Sequence, residues 1–241
     1  MSRSPDRSPS PAPRRSPQAE AERSERLARL PPGTDERFVG YGVLGLTFSS
    51  GHILGLRRWP ASSIGPAYTS VWHRSPAGRW QLFTDVAEIR SCSRYISAMM
   101  REAHTTAIRL AWLDPWRFRV DIGSADFRWD MQLRATPLTA GFAMMRGLVT
   151  DRLASSDRAL RLLERLARTG LGTGPIRLRG LMPNGQQFRI IPRRIWMIES
   201  AVARLGGTDL GVPGPLTAPA RLGDLVVPEC GMLTFATARF G

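Results

Sequence analysis

Between Arg117 and Arg134 the chain reads R-F-R-V-D-I-G-S-A-D-F-R-W-D-M-Q-L-R, with an apolar side chain at every second position on each side of a Gly-Ser break. A two-residue period is the mark of a strand with one dry and one wet face. Phe118, Val120 and Ile122 fall on one face with Phe127, Trp129, Met131 and Leu133, while Arg117, Arg119, Asp121, Arg128, Asp130 and Arg134 fall on the other. The segment is therefore expected to form an antiparallel hairpin, and its apolar face must be covered by closure of the sheet or by a second layer. The polar face explains itself, since Asp121 and Asp130 stand among Arg119 and Arg128 at cross-strand spacing.

The rest of the body repeats this theme. From Phe38 onward, short apolar runs alternate with turn signals every eight to twelve residues, as in sandwiches and barrels. Strands are expected at 39–48, 52–59, 68–74 and 79–84, with Ser75-Pro76-Ala77-Gly78 as a type I turn between the last two. Residues 87–105 lose the alternation and suggest a short helix or irregular crossing with Tyr95, Ile96, Met99 and Met100 as its apolar side. Strands resume at 107–112. Between about 137 and 170 the period moves toward 3.6, with Phe142, Met145 and Val149 and then Leu160, Leu163 and Ala167 on apolar faces. Asp157 is placed to cap the second helix, and Gly170 and Gly172 to stop it. Beyond it, Asn184-Gly185 signals a hairpin between 175–181 and 186–191. Further strands are expected at 195–198, 201–205, 224–227 and 232–240. The domain reading is a disordered Arg/Ser/Pro-rich tail over 1–36, too poor in apolar groups to order itself, and one domain over 37–241 carrying the helical insertion. The fold class is mainly all-β: an antiparallel lipocalin-like barrel or paired half-barrels.

Composition removes several functions. All 34 basic residues are Arg, so neither a phosphate-binding Walker A loop nor a Schiff-base amine is available. The net charge of +14 would suit a polyanionic partner, but the arginines are spread at strand spacing instead of forming the clustered stripe of a nucleic-acid interface. No specific nucleic-acid partner is expected. Cys92 and Cys230 are far apart and unpaired in spacing, which fits a reducing, cytoplasmic setting and gives neither a disulfide framework nor a zinc motif. The N-terminal residues lack the apolar stretch of a secretion signal, and no apolar run is long enough to span a membrane.

Candidate site residues are few. His52, His73 and His104 occur singly, outside any metal-ligand spacing, so no metal and no cofactor is expected. His73, beside Trp72 in a strand that begins at Tyr68, and Asp85, just past a strand end near Trp80, are the candidates for acid/base work. Alternation turns His73 toward Thr69 and Val71, however, and the reading as a hydrogen-bonded sheet residue is preferred. Trp72, Trp80, Phe118 and Trp129, on the apolar faces of expected strands, either fill a core or wall a cavity for an apolar ligand, with Tyr68 or His73 orienting it. The segment 141–168 carries Leu, Met and Phe on one side and Arg146, Arg152, Arg158, Arg161 and Arg165 on the other. It suits a lid on a barrel end or peripheral contact with an anionic membrane.

The stretches S-S-G-H-I-L-G-L-R-R-W, G-P-A-Y-T-S-V-W-H-R-S-P-A-G-R-W, P-N-G-Q-Q-F and P-R-R-I-W resemble those of a group of mainly actinobacterial proteins, themselves similar to the lipocalin-like carotenoid 1,2-hydratase/AttH group. The resemblance covers about 38–240 and implies a calycin-type barrel with an apolar cavity, in one or two halves. No catalytic residue of that group matches a numbered position here, so the resemblance implies no activity. The sequence allows three functions: binding of an apolar small molecule (lipid, terpenoid or polyketide) in the barrel; a cofactor-free hydratase, isomerase or cyclase in the same cavity; or a peripheral membrane or partner-binding module.

Overall fold

The computed structural model describes residues 16–148 and 156–241. Its strands are β1 (Glu36–Thr47), β2 (Ile53–Ser62), β3 (Tyr68–Arg74), β4 (Trp80–Thr84), β5 (Met100–Thr105), β6 (Arg109–Asp114), β7 (Arg117–Ile122), β8 (Phe127–Arg134), β9 (Arg179–Leu181), β10 (Gln187–Leu205), β11 (Thr208–Asp209), β12 (Arg221–Leu222), β13 (Leu225–Val226) and β14 (Met232–Phe240). The helices are α1 (Pro17–Leu27), α2 (Pro137–Leu148) and α3 (Asp157–Gly170). The main path runs β5-β4-β3-β2-β1-β14-β10-β8-β7-β6. This is a mostly β protein whose sheet curls into a half-barrel; β5 and β6 remain its two ends.

The hairpin over 117–134 forms as its alternation demands. β7 and β8 pair antiparallel with Ile122 opposite Phe127 and Val120 opposite Trp129, and the break is a single 3-10 turn closed by Asp126 at φ 45°. Asp tolerates this left-handed conformation better than most residues. On the wet face Arg119 meets Asp130 at 2.7 Å and Arg128 meets Asp121 at 3.0 Å. The Ser75 turn joins β3 to β4 with the Gly78 N–H donating to the Ser75 carbonyl at 2.9 Å. The Asn184-Gly185 turn closes the β9–β10 hairpin, with Gly185 at φ 87°.

Alternation sorts the side chains into two cores. Leu54, Val71 and Phe83 lie in one cluster with Phe118, Val120, Trp129 and Phe235, drawn from both wings of the curled sheet. Their chain neighbours Ile53, Trp72 and Leu82 lie in the other, with Phe38, Trp59, Tyr68, Tyr95 and Phe188. The second cluster sits on the opposite face and is covered by non-sheet segments, among them three 3-10 turns spanning 88–99.

Four features depart from the expectations of the sequence. First, residues 16–27 are not a free tail. Ser16 caps α1 by accepting the Ala19 N–H, Pro17 occupies its first turn, and Ala21 is buried against the sheet. Glu25 holds the helix in place by accepting from Arg58 at 2.8 and 3.0 Å and from the Tyr41 hydroxyl at 2.9 Å. A segment too polar to form its own core is here tethered to sheet arginines; the part of the expected tail over 1–15 lies outside the described residues. Second, 187–205 is one 19-residue strand instead of the three expected at 186–191, 195–198 and 201–205. Register shifts at Pro192/Arg194 and Ile198/Ser200 bend it, so that its first half pairs β14 and its second half β8. Third, β5 runs parallel to β4, the one parallel pair among the described strands. Fourth, Ser156 and not Asp157 caps α3, since its hydroxyl accepts the Ala159 N–H. Asp157 instead bonds Arg179 and Arg189 at 2.8 and 2.9 Å. Among the described residues no helix is long and apolar enough to cross a membrane.

Candidate functional site

A cavity of about 120 Å³ opens between the second core and the helical insertion. Its floor is sheet: Phe38, Gly42 and Leu44 of β1, Arg57 and Trp59 of β2, Trp72 of β3, and Thr234, Ala236 and Ala238 of β14. Small residues on β14 leave the space, and large aromatics beside them give it walls. Its roof is the insertion, with Leu138, Phe142 and Met145 of α2 and Leu163, Leu166 and Ala167 of α3 turned toward it. Of the apolar stripe expected in 141–168, Phe142, Met145, Leu163, Leu166 and Ala167 line the cavity, while Met144 and Leu162 stay exposed. The Arg146 Nε–H fastens α2 by donating 3.2 Å to the Pro192 carbonyl, which the bulge in β10 frees from the ladder.

The polar groups at the wall are sparse and sharply placed. Arg57 is only 8% exposed, and no carboxylate among the described residues reaches its guanidinium. The β1–β2 register slips between Val43 and Leu46, leaving carbonyls of β1 out of the ladder. Arg57 answers them: its Nη1 donates to the carbonyls of Val43 and Leu56, and its Nη2 to that of Leu44 at 3.2 Å. Its guanidinium carbon lies 4.6 Å from the Trp72 ring centroid, in cation–π range. Burial pulls the Arg57 pKa down to about 10, partly offset by Cys92 and Tyr68 nearby. It is still a cation at neutral pH.

Around it lies an under-bonded polar group. Ser70 Oγ and Cys92 Sγ are 3.4 Å apart. The Tyr68 hydroxyl and Trp72 Nε1 interact with the Cys92 thiol, yet both are buried without a well-formed hydrogen bond. Burial raises the thiol pKa above its ordinary value, opposed by the Ser70 bond and by Arg57. Tyr41 and Tyr95 complete the ring of titratable groups, each with a phenol pushed up first by burial and then by a carboxylate, Glu25 or Glu36. Both remain neutral.

The structure separates the residues that the sequence singles out. Trp72 lines the cavity; Tyr68 and Trp80 belong to the core immediately around it. Phe118 and Trp129 pack in the other core, between the wings. His73 also faces away from the cavity, because alternation turns it opposite to Trp72. Asp85 is exposed at the end of β4, where its Oδ1 accepts the Thr69 N–H at 2.7 Å. The three histidines, far apart in sequence, fall on one polar row: His52 to His73, His73 to Gln81, Gln81 to Glu102 and Glu102 to His104, at 2.8 to 3.4 Å. Among the described residues no group of His, Cys, Asp and Glu is arranged to hold a metal.

Sequence reasoning missed Arg57, Trp59 and Tyr95. A signal for Arg57 existed: Ile53, Gly55, Arg57 and Trp59 share a face by the two-residue period, so an arginine sits in an otherwise apolar row.

No protein-family profile matches the chain, and no curated protein matches it. Among solved structures it is similar to an acetoacetate decarboxylase from Legionella pneumophila at 14% identity, covering 89% of this chain and 87% of that one, with a TM-score of 0.40. It is also similar to an AttH-type protein from Nitrosomonas europaea at 14% identity, covering 89% of this chain and 57% of that one, with a TM-score of 0.26.

Proposed function

We propose that the protein binds an apolar small molecule, of the lipid, terpenoid or polyketide kind, in the cavity between the half-barrel and the helical insertion. The observation that carries this is the make-up of the wall: apolar and aromatic side chains almost throughout, with Arg57 as the one permanent charge among the described lining residues. Such a lining releases water readily, and each Å² of apolar ligand surface it buries contributes about 25 cal/mol. The volume, on the order of the ~150 Å³ void that accepts a benzene ring, suits one ring or a short alkyl chain, with any longer portion leaving through the mouth. Among the described residues the lining has no His, Asp or Glu, which favours binding over proton-transfer catalysis at this place.

The experiment is a toluene titration followed by tryptophan fluorescence, since Trp59 and Trp72 line the cavity, together with a thermal melt. Saturable quenching and a raised Tm are expected, and both should be lost in Ala236→Leu, which fills the void. A wild-type protein whose fluorescence and Tm ignore saturating toluene would overturn the proposal.

A further inference from the structure

Resting on that binding role, we infer that the natural ligand is an acid: an apolar molecule bearing a carboxylate or equivalent anionic oxygens, held by the Arg57 guanidinium at the cavity wall.

Arg57 has donors to spare. A guanidinium carries five N–H groups, and the bonds from Arg57 to Val43, Leu44 and Leu56 employ both hydrogens of Nη1 and one of Nη2. The Nε–H and the second Nη2–H have no acceptor among the described residues. With the Leu44 bond taken by the Nη2 hydrogen on the Nη1 side, these two lie along one edge of the planar group, the fork that a carboxylate fits with two parallel hydrogen bonds.

Charge leads to the same place. A buried cation without a counter-ion is costly, and proteins ordinarily pair it. The bulge carbonyls supply dipoles but no negative charge, whereas the neighbouring and more accessible Arg58 has the Glu25 carboxylate. Among the described residues Arg57 faces carbonyls, the Trp72 ring, the neutral Tyr68 phenol and a thiol held neutral by its surroundings. A bound anion would complete the site.

A third observation is independent of Arg57. The Tyr68 O–H and Trp72 N–H are buried donors without a good acceptor, and both cluster with Arg57 around Cys92. Buried donors without a good acceptor beside an uncompensated cation are the polarity of an anion receptor, and a ligand ammonium would be repelled by the guanidinium there. The bulge does require a donor at position 57, which explains three of the five N–H groups and leaves the remaining two unassigned.

The test compares hexanoate, hexanol and hexylamine on the full chain near neutral pH, by tryptophan fluorescence. Hexanoate should bind about tenfold or more tightly than hexanol, as a charge-assisted bond in a dry site implies, and hexylamine should not bind. In Arg57→Gln the preference for hexanoate over hexanol should vanish while hexanol binding persists. Should that variant fail to fold because the bulge carbonyls lose their donors, the wild-type protein still decides the matter through carboxyl-labelled hexanoate followed by ¹³C NMR. Beside the guanidinium the bound carboxyl must stay ionised to a lower pH than in free solution. A bound carboxyl that titrates at or above its free pKa, or hexanol and toluene binding as well as hexanoate, overturns the acid ligand and leaves the apolar cavity standing. Binding of none of these compounds removes the cavity reading and the acid with it.

Discussion

His52 Nδ1 lies 2.8 Å from His73 Nε2, with the two rings edge to edge, 19° from coplanar and 5.1 Å between centroids. Gln81 sets the direction of the bond. Its Nε2 donates to Glu102, so Gln81 presents its oxygen to His73, and His73 must carry its proton on Nδ1. His73 Nε2 is then the acceptor and His52 Nδ1–H the donor. One proton more leaves the bond intact, but protonating both rings sets N–H against N–H and breaks it.

Acid should therefore weaken the fold through these rings. Burial lowers the pKa of both His52 and His73, and His52 adds to the effect at His73. A depressed folded-state pKa gives stability that is complete above the unfolded value of about 6.5 and is lost as pH falls toward the folded value, because the unfolded chain binds the protons more readily. The Tm should drop between pH of about 7 and 5, and His52→Asn with His73→Gln should flatten that part of the profile. Identical slopes in the two proteins would show that the pair does not control it.

Among the described residues Glu25 is one of two carboxylates that dock α1, the other being Glu20, 3.3 Å from Arg194. Glu25 receives the Arg58 fork and the Tyr41 hydroxyl, and Tyr41 in turn lines the cavity. The pair is part-exposed, with side chains 34% and 22% accessible, so Glu25→Ala should cost only about 1 kcal/mol in urea unfolding. The local effect should be larger: amide exchange over 17–27 should rise well before global unfolding. Unchanged exchange in this segment would mean that Ala21 and its neighbours hold the helix without Glu25.

Much of this architecture is legible in the residues, and the exceptions share a cause. The β7–β8 hairpin, the Ser75 and Asn184-Gly185 turns and the helical insertion follow from short-range periodicity and turn chemistry, which depend on neighbours in sequence. The order of α1, the parallel β5 and the continuity of β10 depend on partners far along the chain: Glu25 on Arg58, Trp80 on Met100, Pro192 on Ala236. The site divides the same way. Trp72 is found at the cavity because its strand alternates regularly, whereas Phe118 and Trp129 alternate as regularly but face the core between the wings; periodicity pairs residues on a face without saying which face encloses a void. Tyr95 comes from an irregular stretch and reaches the site through its stacking on Phe240 at 3.9 Å, a contact no local pattern encodes.

Two glycines of β1 make the bulged floor possible. A Cβ on Gly42 would stand 2.1 Å from the Leu56 carbonyl oxygen, and one on Gly40 equally close to that of Arg58. Backbone cannot yield as a side-chain end can, so Gly42→Ala should destabilise by about 3 kcal/mol, at the upper end of overpacking costs. Gly123→Ala, where a Cβ meets nothing within 4 Å, should stay within about 0.5 kcal/mol of wild type. Urea denaturation of the two variants gives the comparison, and equal midpoints would contradict the close approach of β1 and β2.

The thiols report on the same wall chemically. Cys92 and Cys230 are both free, and burial raises both pKa values. Since the thiolate is the reactive form and attack also requires access, native protein at mildly alkaline pH should leave Cys92 unmodified by an aromatic disulfide reagent, while the half-buried Cys230 reacts slowly. Both should react at once in denaturant. Because Ser70, Tyr68, Trp72 and Arg57 surround Cys92, its labelling should track opening of the cavity wall, and a bound acid that ties Arg57 down should slow it further. Rapid labelling of Cys92 in the native protein, unaffected by hexanoate, would mean that reagent reaches the thiol by a route the closed wall does not contain.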